Sequence, residues 1–308
     1  MFFQNQLIHS HKTVFKHFSS NIVHINSQII SIRIEKNSSP VTLVDSSIIG
    51  ITNSGNGGAM LLSNVDLTIV RCYFINCSSL RGGAFHQTQG KTHVTRTCFY
   101  SCSGVSTSDQ TGRCFYSYSC SRLINYTTFS YCAKSVSEGG DSTFFCSYGL
   151  SIVKGINISK CYGRNGSAGG EFWYPDANNV YSLSTVVDCI DYNSLGCVYK
   201  SMTFQFINLI DMPYLTTCLL YGQDQGTLTL TDSVIINCIH HLAYSQIFLR
   251  VLSDYAYGSG VTVVMNPSSL CLDVYACENI AITPSMYYNG KIRNSIHAVL
   301  LSQALVYY

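Results

Sequence analysis

Two aspartates, Asp188 and Asp191, are the carboxylates of this chain that are best placed for acid–base chemistry. Hydrolysis of a glycosidic bond uses two carboxyl groups about 5–9.5 Å apart, and β-elimination uses a cation site beside a basic residue. Asp188 falls on a variable position of a recurring block, and the chain has only 16 acidic residues among 308. The Asn-Thr-Asp, Asp-Asp and Gly-His-Gly motifs typical of polygalacturonases are absent from the sequence. We therefore expect both aspartates to face solvent, and the sequence assigns no catalytic residue.

Cysteine is the second candidate for chemistry, because the chain contains 15 of them. A structural zinc site combines one close pair of ligands with a second pair of Cys or His residues. Cys72 with Cys77 and Cys98 with Cys102 are close pairs, but this spacing recurs with the period of the sequence itself. Recurrence of this kind indicates a column of packed side chains. We therefore predict neither a metal site nor a cofactor.

The single tryptophan, Trp173, lies in a run of residues that could bind a sugar or a protein. Glu171, Phe172, Trp173 and Tyr174 are consecutive. Because successive residues of a strand point to opposite faces, some of these rings must point outward, and an exposed aromatic patch is a candidate docking surface. The alternative is that the rings fill an irregular coil or cover the core. A central strand tolerates proline badly, so Pro175 leads us to expect a loop over residues 171–179.

A short block that recurs along the chain determines how these residues are positioned. Each copy has a large apolar residue, two variable residues and a cysteine, followed after a gap by glycine. The cysteines at positions 77, 102, 132, 161 and 189 are 25, 30, 29 and 28 residues apart. Self-similarity with a period of about 20–50 residues indicates a repeat architecture. The apolar residues and cysteines of the copies are Phe74 and Cys77, Phe99 and Cys102, Phe129 and Cys132, Ile158 and Cys161, Val186 and Cys189, and Ile235 and Cys238.

The repeat is composed of strand-forming residues. Apolar and polar residues alternate with period two over 65–70 and 226–231, which is the pattern of a half-buried strand. The gaps are rich in Ser and Gly and show no amphipathic helix, whereas a βαβ crossover needs about a dozen residues or more. Short strands that coil with one turn per repeat form a parallel β-helix, whose coils stack about 4.8 Å apart. Equivalent residues then lie above one another, so the apolar residues and the cysteines would form two inward columns.

The motifs resemble the β-helical repeats of chlamydial polymorphic outer-membrane proteins, in which F-x-x-N precedes G-G-A-[ILV]. Related repeats of trichomonad surface proteins often have cysteine in the fourth position. F-I-N-C at 74–77, followed by G-G-A-F at 82–85, is similar to one such unit, and G-G-A-M at 57–60 is similar to the glycine half of the preceding one. The similarity is clear over residues 57–102 and degenerate from there to about residue 240, and cysteine replaces the asparagine. The resemblance implies a surface-exposed, adhesin-like or antigenic role and no known catalysis.

Composition favours one elongated domain without a nucleic-acid partner. Charged residues make up 11% of the chain, against about 25% in typical globular domains. The net charge of +2 provides no field for binding a polyanion. The chain has five prolines and no linker-like segment. Residues 1–20 lack the apolar region of a signal peptide, and no segment reaches the roughly 18 apolar residues of a membrane helix. These missing signals suggest a fragment of a longer gene or an unusual exit route.

Cysteine pairing is open at this stage. The number of cysteines is odd, and about 5% cysteine lies below the 8–10% or so that marks a disulfide scaffold. Stacked reduced thiols are the favoured interpretation. In an oxidising compartment, Cys98 with Cys102 or Cys114 with Cys120 could pair, and neighbouring coils are close enough for vertical bridges.

The sequence thus predicts an all-β protein, a single-stranded right-handed parallel β-helix of the pectin-lyase-like kind with roughly ten to twelve rungs. Residues 1–40 would form an N-terminal capping segment, and residues 41–308 the repeat domain. The predicted function is a non-enzymatic, surface-exposed scaffold that binds a host or partner cell-surface protein or glycan. The alternative is a β-helix protein that acts on or binds polysaccharides. We expect a cell-surface or extracellular location.

Overall fold

The computed structural model describes residues 23–104, 112–132, 142–163, 167–176, 178–198, 202–212, 214–223, 227–231, 234–238, 241–243 and 248–251. All regular secondary structure in these residues is β-strand. The first strands are β1 (Val23–Asn26), β2 (Ile29–Ile30), β3 (Ile34–Lys36), β4 (Val41–Val44), β5 (Ser47–Ile49), β6 (Met60–Ser63), β7 (Leu67–Val70), β8 (Tyr73–Ile75), β9 (Ser78–Ser79), β10 (Phe85–Thr88), β11 (Lys91–Thr95), β12 (Cys98–Tyr100), β13 (Ser103–Gly104) and β14 (Gly112–Tyr118). The later strands are β15 (Ser121–Asn125), β16 (Thr128–Ser130), β17 (Ser142–Gly149), β18 (Ser151–Lys154), β19 (Asn157–Ser159), β20 (Glu171–Pro175), β21 (Val180–Val187), β22 (Ile190–Val198), β23 (Met202–Met212), β24 (Tyr214–Gln223), β25 (Thr227–Thr231), β26 (Val234–Cys238), β27 (His241–Ala243) and β28 (Phe248–Val251).

The strands stack as a parallel β-helix, which confirms the predicted fold. One sheet has nine strands, β3, β6, β10, β14, β17, β20, β22, β24 and β27, each from a successive coil. A larger sheet of 17 strands consists of two further stacks of strands. Strands β21 and β23 are long enough to take part in both stacks, and they therefore connect them into one sheet. The register of the sheets brings the repeats into alignment, as in Phe74 over Phe99 and Phe99 over Phe129. Within the described residues the smaller sheet contains nine coils, modestly fewer than the ten to twelve rungs expected from the repeat length.

The described part of the segment predicted to be a cap belongs to the coil. Strand β1 pairs in parallel with β4, and β3 pairs with β6. Residues 23–36 therefore carry strands of the same stack as the repeat domain. Residues 1–22 and 252–308 lie outside the described part of the chain.

Aromatic and apolar columns fill the interior. The Phe74, Phe99 and Phe129 rings stack with centroids 4.9 Å apart at each step. A facing column on the nine-stranded sheet consists of Phe85, Phe115 and Phe144, with spacings of 4.7 and 5.3 Å. Ring stacks of this kind add stabilisation beyond the burial of apolar area. The apolar members of the repeated block with described side chains, Phe74, Phe99, Phe129, Ile158 and Val186, are all fully buried.

The cysteine of each block lies inside a corner of the coil. The residue before it is in the left-handed region in successive coils, as at Asn76, Ser101 and Tyr131. The thiol then points inward and donates to the carbonyl two residues earlier, at 3.5 Å for Cys77 and 3.7 Å for Cys132. A small side chain with a weak donor suits this position. The same bond recurs at Cys102, Cys161 and Cys189, and all five cysteines are buried. Strand β26 continues the register, with Ile235 opposite Leu209 and Cys238 opposite Met212.

These thiols form one continuous contact path. Cys114 enters the column from the nine-stranded sheet and makes side-chain hydrogen bonds with Cys102 and Cys132. Burial raises the pKa of the Cys114 and Cys132 thiols, which are therefore protonated at neutral pH. Cys102, Cys114 and Cys120 are free. The two local disulfides considered from the sequence, Cys98 with Cys102 and Cys114 with Cys120, are therefore not formed.

The glycine pairs of the repeat are explained by two separate requirements. The first glycine of each pair has a positive φ, +68° at Gly57 and +65° at Gly82, where a side chain is strained. The second glycine touches the backbone of the next coil. A Cβ on Gly58 would lie 2.0 Å from the Gly83 carbonyl oxygen, and one on Gly83 would lie 2.4 Å from the Ser103 carbonyl oxygen. Glycine at the second position therefore sets how closely successive coils stack.

A buried arginine occupies the interior where the nine-stranded sheet meets the larger one. The Arg122 side chain donates to the carbonyl oxygens of Ser117, Ser147 and Tyr148 at 2.6, 2.7 and 2.9 Å. It also donates to the hydroxyls of Ser117 and Ser151 at 2.8 and 3.1 Å. The buried guanidinium group is thus hydrogen-bonded only to neutral oxygen atoms, which come from successive coils. This arrangement offsets the cost of removing the charge from water.

Substituting the second glycine should separate adjacent coils. For Gly83→Ala we expect a loss of about 3 kcal/mol or more in the free energy of unfolding, because the clash is with backbone atoms of Ser103. Gly55→Ala is the matched control, since its Cβ would meet only the Asn53 Oδ1 atom at 3.1 Å. The measurement is urea unfolding followed by circular dichroism. Equal stability of the two variants would contradict the close approach of the coils at Gly83.

The interior position of Cys132 should tolerate a smaller side chain but not a charged one. Cys132→Ala removes the sulfur and its contact with the Ser130 carbonyl, and we expect a loss of about 1 kcal/mol. Cys132→Asp places an ionisable group in a fully buried site, which should cost several times more. Thermal and urea unfolding of the two variants provide the comparison. Similar stability of the two variants would show that position 132 is accessible to water.

Candidate functional site

A strip of aromatic rings runs along the outer face of the nine-stranded sheet. We call it the outer aromatic strip. Successive ring centroids are 4.6, 5.1 and 5.6 Å apart in its first row and 5.5 and 4.6 Å apart in its second row. The parallel register of β10, β14 and β17 places His86, Tyr116 and Phe145 directly over one another, whereas Trp173 of β20 is in register with Ser147 and contacts the Phe145 ring diagonally. The first row consists of His86, Tyr116, Phe145 and Trp173, and the second of Tyr118, Tyr148 and Tyr174.

The first three rings of the first row pack face to face, and the exposed part of the strip lies mainly in the second row. His86 and Tyr116 are inclined by 7°, and Tyr116 and Phe145 by 11°. Faces in such a stack are occupied by the neighbouring coils, and His86 and Phe145 are buried while Tyr116 is half-buried. Tyr118 and Tyr148 meet edge to face at 73°, and each is 40% exposed. The accessible surface of the strip therefore consists mainly of tyrosine rings and their hydroxyls.

The four residues predicted as a ligand patch divide between the two faces of β20. Phe172 is 0% exposed and points into the core, in register with Cys146, so it is not part of an outer patch. Glu171 is buried beside Trp173, whose indole Nε1 donates to its Oε1 atom at 2.6 Å. Trp173 and Tyr174 are half-buried members of the outer aromatic strip. The alternation of side chains along a strand predicts that the four residues divide between the two faces. The sequence alone did not show which of them point inward.

The loop predicted over residues 171–179 is wrong for its first five residues. They form strand β20, and Pro175 lies at its last position, opposite Gly149. A proline at the end of a strand removes no hydrogen bond from the middle of the ladder. Tyr174 has a φ of +48°. The chain therefore reaches the corner there while it is still paired with the coil before it.

His86 is a buried imidazole at one end of the strip. Burial lowers its pKa to about 4, and the nearby Arg81 and Arg33 guanidinium groups act in the same direction. Its neighbour Tyr116 has a raised pKa, mainly because it is also partly removed from water. Both rings are therefore neutral at neutral pH. The sequence offered no sign of this pair, because its residues are 30 positions apart and meet only through the register of the sheet.

Acid–base and metal chemistry find little support in the described residues. Asp188 is exposed at a corner with a φ of +49°, as expected for a solvent-facing aspartate, and the side chain of Asp191 lies outside the described set. Among the described residues, no group of three His, Cys, Asp or Glu side chains could hold a metal ion. The strip is therefore the feature of the described surface that best suits binding.

Comparison with protein-family models, curated proteins and solved structures found no match. The resemblance to chlamydial and trichomonad repeats consequently depends on the short motifs alone. Within the described residues, no helix is long and apolar enough to cross a membrane.

His86 should make the fold sensitive to acid. Its pKa is about 4 in the folded protein, against an ordinary value of 6.5. The unfolded chain therefore binds more protons between these values, so stability present above pH 6.5 is lost as the pH falls towards 4. At about 1.4 kcal/mol per pKa unit, the loss approaches roughly 3 kcal/mol. His86→Phe keeps an aromatic ring beside Tyr116 and removes the titration. Urea unfolding at pH 7 and pH 4.5 should show a smaller loss for this variant, and equal losses would contradict the assignment.

Proposed function

We propose that this protein is a non-enzymatic, surface-exposed interaction scaffold, adhesin-like or antigenic in role. The observation that carries the proposal is the outer aromatic strip. Its partner is a host or partner cell-surface protein or glycan. The columns inside the coil maintain the fold, and the outward side chains are available to recognise the partner.

The composition of the strip supports a protein partner first. Tyrosine and tryptophan provide large, rigid contact surfaces at a low cost in side-chain entropy, and they are enriched among residues that dominate binding energy. Tyr118 and Tyr148 are large rings that are 40% exposed. Their hydroxyls and ring edges can accept both polar and apolar contacts. Few charged residues are present in the whole chain, which agrees with the depletion of charge at interface cores.

Cysteine chemistry supports an oxidising location. The nine described free cysteines are all buried. Cys98, which lies on the outward side of β12, is disulfide-bonded. Disulfides persist in extracellular and other oxidising compartments and are rare in the cytosol. A cell-surface or extracellular location is therefore part of the proposal.

A glycan is the second candidate partner, and Trp173 favours it. Its ring is half-buried in the outer aromatic strip, next to Phe145 and Tyr174. A sugar ring could pack against the exposed part of the indole while the hydroxyls of the sugar bond to the neighbouring tyrosines. Polysaccharide cleavage is a weaker alternative, because its candidate acid Asp188 stands exposed at a corner. Turnover of pectin, alginate or glycosaminoglycan that Asp188→Asn abolishes would establish catalysis instead.

The double variant Trp173→Ala with Tyr174→Ala tests the recognition surface. We expect binding to partner cells or glycans to fall about tenfold or more, because truncation of a hot-spot residue costs about 2 kcal/mol or more and about 1.4 kcal/mol corresponds to a factor of ten. Far-ultraviolet circular dichroism should stay that of a β-protein. Flow cytometry for cells and a glycan array for sugars provide the measurement, with affinity expressed per folded molecule.

The matched control is Tyr100→Ala with Tyr131→Ala. These two half-buried rings are 5.4 Å apart, at the end of β12 and at the corner after β16, outside the strip. Equal loss of binding in both double variants would indicate a general effect of destabilisation. Unchanged affinity in the first variant with a lowered Tm would reject the strip as a binding site. Antibody labelling of intact, unpermeabilised cells tests the location independently.

A further inference from the structure

Five Asn-x-Ser/Thr tripeptides lie along the chain, and neither the interior columns nor the outer aromatic strip accounts for them. This tripeptide is the acceptor for N-linked glycosylation when x is not proline, and it is used where it lies on the surface of a secreted protein. Serine and threonine are frequent in this chain, so the motif alone does not separate an acceptor from a chance match. Asn165 lies outside the described residues. The five asparagines are Asn37, Asn76, Asn125, Asn157 and Asn165.

The tripeptide at Asn125 is part of the packed coil. Asn125 is the last residue of β15, where it is half-buried, and its Oδ1 atom has no contact with solvent. The third residue, Thr127, is fully buried, and its hydroxyl donates to the Asn125 carbonyl at 3.0 Å. A sugar on Asn125 would displace packed neighbours in the folded protein.

The tripeptide at Asn157 is enclosed in a similar way. Asn157 is the first residue of β19 and is half-buried between Thr128 of β16 and Thr185 of β21. Both threonines are buried. The third residue, Ser159, is also buried, and its hydroxyl is 3.0 Å from that of Ser130 in the preceding coil. The middle of a stack of strands therefore leaves no space for a glycan here.

The tripeptides at Asn37 and Asn76 are exposed instead. Asn37 directly follows β3, and both it and Ser38 are exposed. Asn76 directly follows β8 and is exposed at a corner of the coil, where its φ is +53°. The same short motif thus occurs in two kinds of place, and only one kind is open to solvent.

The coils on either side of Asn76 leave room for a sugar. The register of β5, β8 and β12 places Gly50 and Ser101 at the equivalent corner positions, one coil before and one coil after. Gly50 is exposed, and apart from its own chain neighbours no described atom lies within 4 Å of the position that its Cβ would take. The third residue, Ser78, has its hydroxyl on the exposed side, 2.9 Å from that of Thr52.

We propose that Asn37 and Asn76 are acceptor sites for N-linked glycans. The inference rests on the cell-surface or extracellular location in the proposed function, because the donor is a lipid-linked oligosaccharide of the secretory pathway. In the transfer, the side-chain Nδ2 atom forms a bond to the anomeric carbon of N-acetylglucosamine, and the bond from that carbon to the lipid diphosphate oxygen breaks. The diphosphate leaves with the electron pair, and the amide nitrogen loses one proton.

Glycans at these positions suit the surface of the protein. Charged residues make up only 11% of the chain and the net charge is +2, whereas a net charge near zero promotes association. An N-linked glycan is a bulky, solubilising group. Asn76 follows a strand of the larger sheet, and Asn37 follows a strand that lies three coils, or about 14 Å along the stack, before β14 with Tyr118. The acceptors and the outer aromatic strip therefore occupy different parts of the surface.

Site mapping on the secreted full-length chain tests the assignment. An added signal peptide directs the chain into the secretory pathway of mammalian cells. The purified protein, checked by circular dichroism, is treated with peptide N-glycosidase F in heavy-oxygen water, which leaves a labelled aspartate at each glycosylated asparagine. We expect the label at Asn37 and Asn76 and none at Asn125 and Asn157. Mass spectrometry can read each site separately because the four lie on different tryptic peptides, 37–71, 72–81, 123–134 and 155–160.

Substitutions of the third residue test each acceptor without changing the asparagine. Ser39→Ala and Ser78→Ala should each lower the mass of the secreted protein by one glycan, whereas Ser78→Thr keeps the tripeptide and should keep the glycan. Ser103→Ala is the matched control. Ser103 pairs with Ser78 in the next coil, but Ser101 stands two residues before it in place of an asparagine. This variant should carry the same glycans as the unmutated chain.

Two results on the secreted chain would overturn the proposal. One is an unmodified Asn37 or Asn76, and the other is a glycan on Asn125 or Asn157 of the folded protein. Native protein recovered by surface labelling of intact cells separates this inference from the proposed location. If its mass does not fall with peptide N-glycosidase F, the acceptor sites are rejected and the location stands. Absence of the native protein from the surface would reject the location, while the mapping still decides between the four asparagines.

Discussion

In-register parallel pairing between successive coils is the interaction on which the rest of this structure depends. Each backbone strand bonds to the equivalent strand one coil above and one coil below. Equivalent side chains are therefore forced into columns at a spacing of about 4.8 Å. Inside the coil this produces the phenylalanine stacks and the path of thiols, and outside it produces the rows of aromatic rings. Both the core and the candidate binding surface are results of the same register.

The fold could be predicted because the columns impose a period on the sequence. The recurring block of a large apolar residue and a cysteine predicted that successive strands stack in parallel, and its period gave the approximate number of coils. The pairing of Phe99 with Phe129 confirms the alignment of successive copies. The role of the cysteine was predictable only as a buried residue. Its hydrogen bond to the carbonyl two residues earlier needs a left-handed residue before it, as at Tyr131. Non-glycine residues in that conformation leave no signal in the sequence.

The binding surface could be predicted less well, because it depends on phase and on distant pairing. Trp173 lies in the outer aromatic strip, but alternation alone does not tell which of Phe172 and Trp173 points inward. His86 and Tyr116 stack through the sheet register, although nothing in their local sequences relates them. Arg122 is a further example, since its acceptors include carbonyls about 25 residues ahead. Backbone acceptors carry no sequence information, so a buried arginine without a carboxylate looks like a surface residue.

The coil architecture also determines how the molecule would respond to mechanical load. Most contacts of a coil are with the coils directly above and below, so a pull on one end acts on a single interface at a time. Strands 25 to 30 residues apart along the chain pair in adjacent coils, as Thr92 does with Leu67 and with Arg122. Each coil that peels away would release about 90 Å of extended chain. A tether of this design would lengthen in repeated steps and dissipate work at each one, while the coils beyond the break keep their shape.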